Sequence, residues 1–402
     1  MSYRTVTEVQ DWGPVVTKVI IHLGKTIPVS SITKKTFNVY VQRFDKRLDT
    51  PLLDEGYRPV TKAYVCNEEG LPAAKDEKFI CLDMKIGPTD KLGSVHHFDG
   101  EANQWIDSHY TITQAEDIKL GNETLSGLVI DTFAGDIKKV VEDFSTGKFT
   151  HHDIALTYAD YVPKKNNQKR PLLIWLHGGG EGGTDPTLPL SANKAVSFAT
   201  EDIQQYFDGA YILVPQAPTR WMDGFTGKAD GTSIYKEALM ALIKAYVSDH
   251  PAIDTNRIYI GGASNGGYMT LLMTRDYPGY FAAAFPVCEG LDDSLISETD
   301  LKNMIRTPTW FVHAKDDTVL PPKLYTIPTY NRMIEAGADN VLLSLYDDVH
   351  DKTGLYKRGE GSPYQYHSHC SWIYLFNNDP STKINGKITT IMEWLASQSL
   401  ND

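Results

Sequence analysis

Hydrophobic and polar residues alternate along the first third of the chain. In TFNVYVQ, Phe37, Val39 and Val41 share one face and Asn38, Tyr40 and Gln42 the other. FICLDMKI repeats the alternation with Ile80, Leu82, Met84 and Ile86, and SHYTITQ with Tyr110 and Ile112. A period of two marks strands with one buried face, and several in series without a helical period predict a β-sandwich. From about residue 145 the pattern changes. PLLIWLH (171–177) and AYILVPQAP (210–218) are continuous apolar runs, the signature of strands covered on both faces of a parallel sheet. RIYIGG (257–262), AAAFPV (282–287), TWFVHA (309–314) and VLLSLY (341–346) extend that series. A helix is predicted over 231–248, capped by Thr232 or Ser233, with Ile234, Ala238, Leu242 and Tyr246 at helical spacing. ITTIMEWLASQ (388–398) predicts a last helix.

Strands that alternate with helices predict a doubly wound, mostly parallel α/β sheet. The chain has 402 residues, more than a single core normally uses, which agrees with two domains. The expected division is an immunoglobulin-like β-sandwich over 1–138 and an α/β domain over 139–402.

Composition narrows the function. The net charge of −12 argues against a nucleic-acid partner, which needs a basic surface to displace counterions. No apolar run is long enough to cross a bilayer, so no membrane partner is expected. The opening MSYRTVTEVQ lacks the apolar stretch of a signal peptide, leaving two expectations: a cytoplasmic protein, or an exported one whose leader has been removed. Cys66, Cys81, Cys288 and Cys370 show no CxxC spacing and read as buried free thiols, with a Cys66–Cys81 bridge as the alternative. His96–His97 and His151–His152 are adjacent pairs; neighbours on a strand face opposite ways, so neither pair chelates one metal. No metal and no cofactor is expected. A homo-oligomer is compatible with the sequence.

The candidate chemistry centres on GGASNGG (261–267). Here a buried strand enters a G-x-S-x-G turn and leaves as a helix, so Ser264 would be held in a strained conformation with its hydroxyl clear of the sheet. A serine nucleophile requires a base and a carboxylate that orients it, in the order Ser, Asp, His in this fold. Asp316 and Asp317 follow the strand TWFVHA, and His350, His367 and His369 lie downstream. An oxyanion would take the backbone N–H of Asn265 and one from Gly179 or Gly180 in LHGGGEGG. Trp221 and Glu289, each shortly after a strand, are candidates for substrate contact, and Glu181 for orienting the glycine loop.

Together LHGGGEGG, GGASNGG, HAKDDTVLP and HSHCSW resemble α/β-hydrolase esterases of the feruloyl-esterase, polyhydroxybutyrate-depolymerase and dienelactone-hydrolase type. DWGPVVTKVIIHL resembles the N-terminal immunoglobulin-like domain of a bacterial esterase subgroup. The resemblance implies Asp317 rather than Asp316, through an H-G-x-x-D-x-x-V-P pattern from which this chain departs at Ala314. It implies His369, through H-x-S-W, over His350 and His367, with 347–366 as an insertion. The implied function is a serine carboxylesterase acting on short-chain or carbohydrate-linked acetyl or feruloyl esters, small or attached to polysaccharide. A prolyl-oligopeptidase-type peptidase is the alternative, though no propeller-like repeat precedes the domain. A non-catalytic binding protein on a hydrolase scaffold is the third reading.

Overall fold

The computed structural model describes residues 1–164, 168–224 and 226–400. Contacts divide it into two units, Met1–Asp99 with Asn103–Glu142, and Gly100–Ala102 with Asp143–Asp402.

The first unit is built on two facing sheets, with two short two-stranded pairs beside them. Five strands lie in the order Phe133–Lys138, Ser2–Gln10, Gly13–Ile27, Glu77–Met84, Val60–Cys66, and four in the order Val129–Ile130, Asp107–Gln114, Phe37–Phe44, Leu52–Arg58. The alternating residues make the core: Phe37, Val39, Val41, Ile80, Leu82, Tyr110 and Ile112 are all buried in one cluster. On the opposite face of the larger sheet Cys66 and Cys81 pack with Val6 and Ile20, so this sheet is covered on both sides there. All four cysteines are free thiols.

The second unit is an eight-stranded sheet. Its strands are β1 (Ser145–His151), β2 (Ile154–Tyr161), β3 (Arg170–Leu176), β4 (Tyr211–Gln216), β5 (Ile253–Ala263), β6 (Ala283–Val287), β7 (Thr309–Ala314) and β8 (Val341–Tyr346). They lie in the order β1-β2-β4-β3-β5-β6-β7-β8. β1 and β2 are antiparallel, β2 is antiparallel to β4, and all remaining pairs are parallel. Every residue of β3, β4, β6 and β7 is buried, as their continuous apolar runs predict.

The helix predicted over 231–248 is α1 (Lys236–Asp249), and it begins later than expected. Thr232 Oγ1 is bonded to Asp230, and Ser233 Oγ accepts the Tyr235 N–H at 3.2 Å, so neither side chain caps the helix. Two more helices matter for the site, α2 (Asn265–Asp276) and α3 (Thr326–Glu335). The closing helix, α4 (Ile391–Ser397), starts at a capping box between Thr390 and Glu393. Residues 387–390 ahead of it pair as a strand with Ser381–Ile384 instead of extending it.

Candidate active site

The turn from β5 into α2 is cramped by the neighbouring strand. A Cβ on Gly266 would lie 1.9 Å from the Leu176 carbonyl oxygen and 2.7 Å from that of His177. A Cβ on Gly262 would lie 2.6 Å from the same Leu176 oxygen. Backbone cannot yield as a flexible side chain can, so both positions exclude any side chain. Between them Ser264 adopts φ 57° and ψ −112°, a conformation that costs about 1–3 kcal/mol outside glycine. The bend is fixed from both sides: the Ser264 N–H donates to Val287 O at 2.8 Å, and its carbonyl accepts from Tyr268 N at 3.0 Å. The serine remains half-buried. Asn265 is the first residue of α2, so its N–H has no acceptor within the helix.

The glycine loop after β3 lies against this turn, through Leu176 and His177. Gly179–Glu181 forms a short 3₁₀ turn whose first N–H groups also lack an acceptor within the turn. His177 anchors the loop. Its Nε2 accepts the Ala217 N–H at 3.1 Å and its Nδ1–H donates to Gly178 O at 2.6 Å, which defines a neutral ring. Burial pushes its pKa down to about 4. Glu181 is buried, and its carbonyl accepts from Gln216 Nε2 at 2.9 Å.

Asp317 and His369 meet. His369 Nδ1 lies 2.7 Å from Asp317 Oδ2, across 52 positions of sequence. Asp317 Oδ1 accepts two backbone N–H groups, from Val319 at 2.8 Å and Leu320 at 3.1 Å. Oδ2 has a second partner, His313 Nε2, at 3.1 Å. Burial alone would raise the Asp317 pKa; the bonds from His313, His369 and Leu320 outweigh it and hold the carboxyl well below the usual carboxylate range. Its neighbour Asp316 is exposed. His350 is bonded instead to Asp348 at 2.6 Å, and His367 is exposed with its Nδ1 accepting the His369 N–H at 3.2 Å. Residues 347–366 fold back on themselves through the pairs His350–Gln365 and Lys357–Pro363, which returns the chain to the sheet just before His369.

Cys288 follows Val287, whose carbonyl accepts the Ser264 N–H, and its own N–H donates to Val312 O at 2.8 Å. Burial raises its thiol pKa well above the ordinary value, and the Asp317 charge, Cys370, Ser371 and the Ser264 backbone all act on it.

Two expected substrate contacts need correction. Trp221 is 0% exposed and belongs to the hydrophobic core, edge-on to Tyr235 and tilted against His177. Its backbone N–H donates to Asn265 Oδ1 at 2.5 Å, so it braces the elbow from beneath and offers no surface to a ligand. Glu289 is also 0% exposed. Its Oε2 accepts the Leu291 N–H at 2.8 Å, and its Oε1 lies 3.0 Å from Thr326 Oγ1. Burial pushes its carboxyl up to about 8, with Asp293 and Asp292 adding to the rise against the bonds from Leu291 and Thr326.

His313 and Thr326 were not singled out by sequence reasoning. His313 stands in the strand-end pattern and was read only as part of it, and Thr326 opens an unremarkable helix. Among the described residues no group of three or more His, Cys, Asp or Glu is placed to hold a metal ion. Among the same residues no helix is long and apolar enough to cross a membrane.

Residues 2–127 match the family of esterase Ig-like N-terminal domains, and residues 220–300 match the prolyl oligopeptidase family. Among solved structures the chain is similar to a thermostable esterase, at 27% identity and a TM-score of 0.79, with 99% of each chain covered. Among curated proteins it is 32% identical to feruloyl esterase B of Neurospora crassa over 31% of this chain and 40% of that protein. It is 26% identical to poly(3-hydroxyalkanoate) depolymerase C of Paucimonas lemoignei over 32% of this chain and 30% of that protein. The matched stretch thus spans less than half the length of either curated relative. The chain thus carries an esterase immunoglobulin-like N-terminal domain over residues 2–127, followed by an α/β-hydrolase sheet, and is similar from end to end to a solved esterase.

Proposed function

We propose that the protein is a serine carboxylesterase. Ser264 attacks the ester carbonyl while His369 Nε2 takes the hydroxyl proton. Asp317 holds the ring with Nδ1–H toward itself and stabilises the imidazolium. The N–H groups of Asn265 and of Gly179 or Gly180 receive the oxyanion. The imidazolium then protonates the departing alcohol, and water repeats the sequence on the acyl-enzyme, so no cofactor is required. The observations that carry the reading are the 2.7 Å contact between His369 Nδ1 and Asp317 Oδ2 and the positive φ of Ser264 in its glycine-flanked turn.

The proposed substrates are short-chain or carbohydrate-linked esters, acetyl or feruloyl. The likeness to feruloyl esterase B supports this choice over the stretch it covers. Ser264→Ala is tested against p-nitrophenyl acetate and butyrate, methyl ferulate and acetylated xylan. Loss of turnover in a folded variant is expected; a variant that keeps most of its activity sinks the reading. A peptidase is the second reading, favoured by the prolyl oligopeptidase match over residues 220–300. Aminoacyl-anilides in the same panel decide between the two.

A further inference from the structure

Behind Asp317 runs a chain of hydrogen bonds that the mechanism above does not use. His313 Nδ1 lies 2.9 Å from Thr326 Oγ1, which lies 3.0 Å from Glu289 Oε1. Its other nitrogen, Nε2, faces two acceptors, Asp317 Oδ2 at 3.1 Å and Leu320 O at 2.9 Å. His313, Thr326 and Glu289 are 0%, 1% and 0% exposed, so no solvent can repair a mismatch.

Counting protons restricts the arrangement. Nε2 faces only acceptors, so it must carry a hydrogen. In a neutral ring Nδ1 is then an acceptor and needs a donor. Thr326 has a single hydroxyl proton, which can point at His313 or at Glu289 but not at both. If it points at His313, Glu289 must be the acid and donate to Thr326. If Glu289 is ionised, Thr326 turns to it, and Nδ1 either loses its partner or must carry a second proton. That second state separates two charges inside a sealed interior, which costs more than the neutral one.

We propose that Glu289 is a positioning residue: as the acid it donates to Thr326, which donates to His313 Nδ1, fixing His313 as the neutral Nε2–H ring that aims Asp317 Oδ2 at His369. The inference rests on the roles given above to Asp317 and His369. Ionisation of Glu289 would reverse the Thr326 hydroxyl and loosen the carboxylate. It would also bring a second negative charge behind Asp317. The charged and titratable groups around Glu289 are Asp292 and Asp293 on the segment that follows it, Tyr325 ahead of α3, His313 through Thr326, and Asp317 beyond. Arg332 of α3 is bonded to Asp293. Burial together with the two aspartates keeps the acid form present at neutral pH, the carboxyl titrating at about 8.

Glutamine mimics the acid, since its carbonyl can accept from Leu291 and its amide can donate to Thr326. Leucine cannot donate. Rates on p-nitrophenyl butyrate are measured from pH 6 to 9.5 for the full chain, Glu289→Gln, Glu289→Leu and Ser264→Ala. We expect the unmodified chain to lose activity as pH rises through about 8. Glu289→Gln should stay within about threefold of it at neutral pH and lack that alkaline decline. Glu289→Leu should lose about tenfold or more in kcat with KM little changed, as removal of one orienting bond implies. A Glu289→Gln variant that keeps the decline overturns the proposal, as does a folded Glu289→Leu variant equal to it at every pH. If the leucine variant does not fold, the imidazole ¹⁵N shifts of His313 in the unmodified chain decide: a neutral Nε2–H ring at pH 7 supports the relay, and an imidazolium overturns it. Ser264→Ala separates the two levels. If it stays active, the esterase mechanism itself falls; if it is dead while the Glu289 variants behave like the parent, only the relay falls.

Discussion

Asp317→Asn is the sharpest test of how the carboxylate works, because every hydrogen-bond partner of its two carboxylate oxygens is a donor. Oδ1 accepts from Val319 N and Leu320 N, and Oδ2 faces His369 Nδ1 and His313 Nε2. A carboxamide brings one acceptor and one double donor, so whichever way it turns, its NH₂ meets two donors. Backbone N–H groups cannot change protonation, but an imidazole can. The NH₂ therefore turns toward the rings, and His369 responds by moving its proton from Nδ1 to Nε2. In the proposed mechanism that tautomer would present a hydrogen to Ser264 and could not take the serine proton. The substitution also removes a negative charge beside the developing imidazolium. Together these effects should lower kcat by roughly 10³- to 10⁴-fold, about 4–5.5 kcal/mol of transition-state stabilisation, with KM nearly unchanged. The assay is p-nitrophenyl butyrate hydrolysis at pH 7.5, paired with thermal melting to show that the variant is folded. Asp316→Asn is the control; its exposed side chain predicts a change of no more than about twofold. A folded Asp317→Asn within tenfold of the parent in kcat/KM would refute the reasoning.

Two predictions concern the stability of the scaffold. Gly266→Ala places a Cβ 1.9 Å from the Leu176 carbonyl oxygen, so the strand and helix must separate; we expect about 3 kcal/mol of destabilisation or an insoluble chain, and an unchanged urea midpoint would contradict it. His177 sets an acid limit. The unfolded chain protonates it near 6.5 but the fold only near 4, so its contribution is intact above pH 6.5 and is lost as pH falls toward 4, on the order of 3 kcal/mol in all. Urea unfolding at pH 7 and pH 4.5 should show that decline, and His177→Gln should show less of it; an equal pH dependence in both would remove the assignment.

Much of the site's outline could be read along the chain because its parts are local. The glycines of GGASNGG signal a crowded turn, and the structure places a backbone oxygen against Gly262 and Gly266. The choices of Asp317 over Asp316 and of His369 over His350 and His367 came from short patterns, and Asp317 and His369 are the pair in contact. Trp221 and Glu289 were misjudged because a residue just after a strand can point into the cleft or beneath it, and sequence position does not separate the two. β1 and β2 were not read as members of the larger sheet, because their alternating, half-polar pattern resembles the strands of the first unit.

The linear chain determined which segments became strands and what kind of sheet each could join. Burial on one face or on both is written in the period of apolar side chains within a few residues. It also determined the elbow, whose strain follows from a non-glycine residue held between glycines at a sharp turn. Tertiary structure alone decided the strand order, the burial of Trp221, and the sharing of Asp317 Oδ2 by two histidines. It also joined Glu289 to His313 through Thr326, from three different elements. Those outcomes depend on which donors and acceptors the crossovers of the sheet bring within 3 Å or so, and on whether water can reach them. Matching of that kind comes into being when the sheet and its helices close around the residues involved.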